Sequence, residues 1–317
     1  MRPEPRTQTT GTTTVTNRVF GPTAAGVTLV ALLACGASEG AQQSFATGQN
    51  IAPAYEGWEQ NEDGSFNLLF GYMNRNWEEV FDIPIGPENN LEPGGPDHGQ
   101  PTHFQPRRNR FVFRVRVPAD FGDDEVIWTL TSNGKTERAY GTLKPDYFVD
   151  KLVVQANYGA AGPTATTPEL PSNQPPALLV AGGATRTVSV GEPMTLTAVV
   201  TDDGKPQARP LLPALASRPG SITTDSATGL RFSWSVYRGT GEAVVFHPPQ
   251  IKVWEDTRPG GDSPWSPGFE TPDPPPNGRW RVTATFGEPG AFVLRGIAHD
   301  GGLATVQDVT VVVEDSQ

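Results

Sequence analysis

Apolar and polar side chains alternate with a two-residue period through most of this chain, and that pattern leaves little room for anything but β-structure. Phe111, Phe113, Val115 and Val117 point one way, while Val112, Arg114 and Arg116 point the other, because a strand sends successive side chains to opposite faces. The same alternation sets Phe66, Leu68, Phe70 and Tyr72 on one face, and likewise Val126, Trp128 and Leu130. It returns in Met194, Leu196, Ala198 and Val200, in Leu230, Phe232, Trp234 and Val236, and in Val282, Ala284 and Phe286. Phe292, Leu294, Gly296 and Ala298, then Val309, Val311 and Val313, complete the series. No helical period separates these runs, so they predict antiparallel sheets rather than βαβ units. The 35 glycines and 32 prolines supply the turns between them. Asn133-Gly134 is the strongest hairpin signal, and residues 61–64 form a second.

The fold class read from this pattern is all-β, with two tandem antiparallel β-sandwich domains. A chain of 317 residues has room for about two cores. Residues 42–158 make the first sandwich-like domain, with strand signals from Tyr55 and a loop of Pro, Gly and Asn at 86–106. Residues 146–155 are expected to close it. Residues 159–177, rich in Pro, Gly, Ala and Thr and without periodicity, read as a linker. Residues 178–317 make the second domain, interrupted by two long insertions, 205–229 and 247–278. Insertions of that length are often functional.

Residues 1–41 read as an export signal and a short lead. Arg2, Arg6 and Arg18 precede an apolar run, 24–34, and small residues follow it at 35–38. The run is shorter than the roughly 20 residues needed to span a bilayer. Export would take the chain to an extracytoplasmic place: secreted, periplasmic or anchored at the cell envelope. Leu32-Leu33-Ala34-Cys35 resembles a bacterial lipoprotein signal, which would lipidate Cys35; cleavage after Ala37 or Ala41 would instead discard it. Cys35 is the only cysteine, so a chain cut beyond it has no disulfide and no thiolate nucleophile. The net charge of −11 opposes a nucleic-acid partner, since phosphate binding relies on Lys and Arg.

The second domain resembles bacterial immunoglobulin-like domains, in particular the polycystic-kidney-disease (PKD) type. Three pieces carry the likeness: Val190-Gly191-Glu192-Pro193 leading into residues 194–198, Phe232-Ser233-Trp234, and residues 288–294 followed by 298–302 and 309–313. The resemblance implies an immunoglobulin-like sandwich with Trp234 in its core. Phe292 stands where many such domains carry a tyrosine, so the corner hydroxyl bond is not expected. It implies no particular function, because the fold hosts many.

Several residue groups are candidate sites, each with a plainer competing role. Trp254, Trp265 and Phe269, with Trp280 nearby, could contact a partner protein or stack on sugar, or could pin the insertion onto the sandwich. Arg114 and Arg116 could hold an anionic glycan or carboxylate, or could pair with carboxylates such as Glu78, Glu79 or Asp82. Asp97, His98 and His103 could ligate a transition metal, or be solvated loop residues. Asp202-Asp203-Gly204 and Asp300-Gly301-Gly302 could bind calcium, or serve turn chemistry. His247 and His299 stand apart in the sequence from any nucleophile. No nucleophile elbow, metalloprotease helix or phosphate loop is present. Neither a catalytic nor a cofactor-binding residue is therefore named, and no cofactor is expected beyond the calcium reading. The leading expectation is a non-catalytic adhesion or scaffold protein that binds an envelope or extracellular protein through its loop insertions. A carbohydrate-binding accessory module is the alternative. A metal-dependent hydrolase is the third reading, and it requires His98, His103 and a carboxylate to converge.

Overall fold

The computed structural model describes residues 45–160, 168–208, 228–250 and 273–315. Cys35, Trp254, Trp265 and Phe269 lie outside the described residues.

The first sandwich opens with a hairpin of β1 (Ile51–Gln60) and β2 (Phe66–Asn74), to which β6 (Arg107–Val117) adds antiparallel. The facing sheet is β4 (Asn89–Glu92), β7 (Val126–Ser132) and β8 (Lys135–Gly141). Between them lie Leu68, Phe70, Phe113, Val115, Trp128 and Leu130, the inward residues of the alternating runs. The Trp128 ring meets Phe113 edge-on at 4.9 Å and Phe70 at 6.1 Å. Asn133 and Gly134 have φ of 46° and 71° between the paired Ser132 and Lys135, the two positive values a type I′ turn requires.

Four features depart from the sequence reading. The first strand begins at Ile51, ahead of Tyr55, where the strand signals were read to start. The 86–106 segment is not merely a loop: it carries β4 and β5 (His103–Phe104), and β5 pairs with β3 (Phe81–Asp82) just before the segment. Asn89 organises it from the interior, donating to the carbonyls of Ile83 (3.0 Å) and Pro101 (2.8 Å) while accepting from the Trp128 indole (3.1 Å). Residues 146–155, expected to close the domain but given no element by the sequence reading, are helical. A 3₁₀ turn (Pro145–Tyr147) precedes α1 (Lys151–Asn157), whose N-cap Asp150 accepts from Val153 N–H at 2.8 Å. Finally, Phe111 leaves the alternation, for reasons given below.

In the second sandwich one sheet has the order β13 (Val244–His247), β14 (Arg279–Phe286), β11 (Met194–Thr201), β9 (Ala177–Val180). The other has the order β10 (Thr185–Ser189), β16 (Ala304–Glu314), β15 (Gly290–His299), β12 (Arg231–Arg238). Labelled A, A′, B to G in chain order, these sheets read D-E-B-A and A′-G-F-C, the immunoglobulin topology. Every pair is antiparallel except β10 with β16, which is parallel. Trp234 on the C strand is buried beside Phe232 (5.6 Å, edge-on), and Phe286 meets Phe292 at 5.1 Å. The protein is thus all-β with two sandwich cores, and residues 43–317 cluster as one compact unit.

Candidate functional site

A cleft of about 500 Å³ lies between the two sandwiches. Its first wall is built by an irregularity in β6. The β2–β6 ladder shifts register between Phe70 and Tyr72, so Arg110, Phe111 and Val112 have no partners in it. Gly71 sits opposite, and a side chain there would collide with the Asn109 carbonyl and the Glu56 carboxylate. Phe111 adopts φ 50°, an outlying conformation for a bulky residue. This turns its ring away from the core face that the alternation assigned to it. The ring instead meets Tyr158, just past α1, at 5.4 Å.

The second wall comes from β12, β15 and the start of β16. Arg295 is its main polar anchor. Its guanidinium forms a two-point ion pair with Asp308 (2.7 and 2.8 Å), donates to the Val112 carbonyl across the cleft (2.7 Å), and lies 3.4 Å over the Tyr237 ring. Burial opposes this charge, but Asp308 and Tyr237 outweigh burial, and the arginine is held more firmly protonated than usual. Burial pushes the Tyr237 hydroxyl up to about 12, partly offset by Arg295. The hydroxyl donates to the Gly99 carbonyl at 2.5 Å. Tyr158 and Tyr72, also in the walls, are raised by burial.

The floor is polar. His299 meets the Tyr158 ring edge-on at 4.5 Å and accepts from Gly301 N–H through Nδ1 at 2.7 Å. Burial, then the nearby Arg231 charge, hold it well below the usual imidazole range. The next residue, Asp300, is fully buried and is pushed up to about 6, chiefly by burial. It accepts from the N–H groups of Gly302 and Leu303 and from Asn173 Nδ2 (3.1 Å). Asn173 and Leu170, inside the stretch read as a linker, are themselves buried.

The sequence-predicted candidates fall elsewhere or into other roles. Asp97 makes a two-point pair with Arg238 (2.7 and 3.0 Å), and His103 Nδ1 lies 2.7 Å from Asp82, which also accepts from Gly241 N–H. These residues join the first domain to the second. The convergence required for a metal-dependent hydrolase is not formed: among the described residues no three His, Cys, Asp or Glu side chains make a metal-holding group. Arg114 pairs with Glu59 (2.9 Å) at the edge of the cleft, and Arg116 pairs with Asp63. These cross-strand partners differ from the Glu78, Glu79 and Asp82 expected. Trp280 packs on the second core, 5.8 Å from Phe232. Sequence reasoning named Arg114 and Arg116, and His299 only as an isolated histidine, but not Tyr158, Tyr237 or Arg295. They come together only through docking of the two sandwiches, which no local period encodes.

No family model and no curated protein matches the chain. Among solved structures, a mutant complex of titin M10 with obscurin-like 1 Ig is 15% identical over 46% of this chain and 98% of its own, with a TM-score of 0.24. The D00-D0 domain of intimin is 11% identical over 84% of this chain and 100% of its own, also at 0.24. Domains 1–6 of the surface-layer protein SbsC are 9% identical over 85% of this chain and 28% of their own, again at 0.24. The immunoglobulin assignment rests on the strand order given above and not on these likenesses. No described helix is long and apolar enough to cross a membrane.

Proposed function

We propose that this is a non-catalytic, extracytoplasmic adhesion or scaffold protein that engages a protein partner through the insertions of its second, PKD-like domain. One observation carries the reading: both insertions leave the same end of the sandwich. The end of β11 lies beside the start of β14, with Val200 N–H donating to the Gly278 carbonyl at 2.8 Å. The start of β12 lies beside the end of β15, with Gly229 N–H donating to the Asp300 carbonyl at 2.6 Å. The strand ends that flank 209–227 and 251–272 are therefore neighbours, the arrangement by which immunoglobulin domains gather several loops into one binding surface. Trp254, Trp265 and Phe269 supply that surface with the large aromatic side chains that dominate protein interfaces. Arg114 and Arg116 are the basic candidates on the first domain. The export segment gives the chain its route to the envelope, with Cys35 as the residue a lipid anchor would use.

The test is direct. Labelled full-length protein, applied to intact cells of its source, is expected to bind saturably and to be displaced by unlabelled protein. Replacing 209–227 and 251–272 with short Gly-Ser linkers should abolish that binding while leaving the far-ultraviolet spectrum unchanged. Undiminished binding by the doubly replaced variant would overturn the reading.

A further inference from the structure

Two acidic turns of the second domain converge on the segment that leads into it. Asp202-Asp203-Gly204 follows β11 and Asp300-Gly301-Gly302 follows β15, on opposite sheets of the sandwich. Neighbouring residues of the leading segment touch both turns. Asn173 Nδ2 donates to Asp300 Oδ2 at 3.1 Å, and Gln174 N–H donates to Asp203 Oδ2 at 3.3 Å. Burial raises the Asp300 carboxyl and the negative charge of Asp202 adds to it, so the two acids lie within each other's field. The nearby Arg231 offsets part of that charge. Carboxylates gathered out of water are characteristically paired or bound to a metal ion.

A second observation points to the same place. Asn173 is wholly buried. Its Nδ2 donates to Gln155 Oε1 at 2.9 Å as well as to Asp300, and these two bonds fix which way the amide faces. Its Oδ1 is left buried with no donor among the described residues. Asp202 is in a similar condition: Oδ2 accepts from Gly204 N–H at 2.8 Å, while Oδ1 is buried with no donor among the described residues. Asp203, in contrast, has both oxygens engaged, by Lys205 N–H at 3.0 Å and by Gln174 N–H. Buried acceptors are nearly always paired, so two stranded ones beside a buried carboxylate mark the place of a group that accepts electron pairs.

We propose that Asp202, Asp300 and the Asn173 amide oxygen hold one calcium ion, which fastens the 168–176 segment to the end of the second sandwich. The three ligands are hard oxygens, two anionic and one neutral, and calcium takes carboxylate, amide and water oxygens in flexible number. Zinc favours nitrogen and sulfur, and magnesium demands a near-ideal octahedron. Asp202 is half-buried, which leaves water a side from which to complete the shell. With only two carboxylates, the dissociation constant is expected at about 10⁻⁴–10⁻³ M, the range of extracellular calcium modules.

Equilibrium dialysis of the chelator-treated full-length protein against radioactive calcium tests this. About one ion should bind per chain, and magnesium should compete less well by about tenfold or more. The melting temperature should rise with calcium and level off over the same range of concentration. Asp202→Asn, at a half-buried position, should weaken calcium by about tenfold or more, whereas Asp203→Asn removes the same charge next door and should change it by less than about threefold. No saturable binding below about 10 mM calcium is the result a buried water at this place would give, and it would overturn the proposal. Equal affinity for magnesium, or equal losses in the two variants, would overturn it as well. Should Asp202→Asn not fold, the magnesium comparison on the wild-type protein still decides. Cell binding through the insertions is read by a separate assay on a separate variant, so either reading can fail alone.

Discussion

At the scale of single residues, His299 and Asp300 are adjacent, buried and shifted in opposite senses. Asp300 is raised to about 6, first by burial, with Asp202 adding to the shift and the Gly302 and Leu303 N–H groups opposing it. Its native form therefore binds a proton more readily than the unfolded chain does. Stability from this residue is full below about pH 4 and is lost as pH rises to about 6, by on the order of 3 kcal/mol. His299 is depressed by burial and by Arg231, so the unfolded chain takes up the proton first. Its contribution is present above about pH 6.5 and is lost as pH falls. Between about pH 4 and 6 the two slopes oppose each other, which masks both in the native protein. Asp300→Asn should yield a stability that, relative to wild type, rises with pH across this interval. His299→Gln should yield one that falls. Urea unfolding at steps of pH reads both differences, and an Asp300→Asn curve parallel to wild type would sink the assignment. Glu56 and Asp202 are also raised, which is why the difference from wild type is the quantity to follow.

At the scale of elements, the bulge at Gly57 shows how one residue sets a contact between strand and helix. The β1–β2 ladder slips between Tyr55 and Gly57, and Gly57 has φ 125°. A Cβ there would strike the Tyr147 carbonyl and a methyl of Val149, the segment leading into α1. Gly57→Ala should therefore cost about 3 kcal/mol, through both backbone strain and collision. Thermal melting checks it; a loss below about 0.5 kcal/mol would show that the segment shifts freely. Such features mark the limit of what the sequence reveals. The inward faces of β2, β7, β11, β12, β15 and β16 were legible because burial of one sheet face imposes a period of two. The Asn133-Gly134 turn was legible because two successive positive φ values demand those residues. The helix α1 was not, being seven residues long with too short an apolar period to stand out. Asn89 was not, because a buried amide that replaces main-chain partners looks like any loop asparagine. Phe111 was misassigned because the alternation breaks at the register shift opposite Gly71, and nothing in the run of Phe and Val announces that shift. Of the cleft lining, His103, Phe111, Arg114 and His299 were named in advance, but not as one site, and Tyr158, Tyr237 and Arg295 were not.

At the scale of the whole molecule, the question is whether two cores behave as one. Each has its own buried tryptophan, Trp128 in the first and Trp234 in the second. What joins them is polar and aromatic rather than a shared apolar core. Tyr237, 6% exposed, donates to Gly99, and its backbone carbonyl accepts from Thr102 N–H at 3.1 Å. Arg238 adds the Gln100 carbonyl (2.9 Å) to its pair with Asp97, and Arg295 reaches Val112. The Asp97–Arg238 pair is partly exposed, so a double-mutant cycle should assign it only about 1 kcal/mol of coupling. Because hydrogen bonding with Arg238 holds the Asp97 carboxyl below its ordinary range, that coupling is present at neutral pH and fades as pH falls through the native titration. Tyr237 and Arg295 matter more, since both side chains are themselves largely buried where they bond across to the first sandwich. The wild-type protein should therefore unfold in one calorimetric transition whose calorimetric and van't Hoff enthalpies agree. Tyr237→Ala combined with Arg295→Ala should separate the cores, giving two transitions. Adding Trp234→Ala to that variant should then lower one transition and leave the other, because a cavity in the second core no longer reaches the first. Two transitions already present in the wild type would mean that the groups across the cleft orient the sandwiches without coupling their stability.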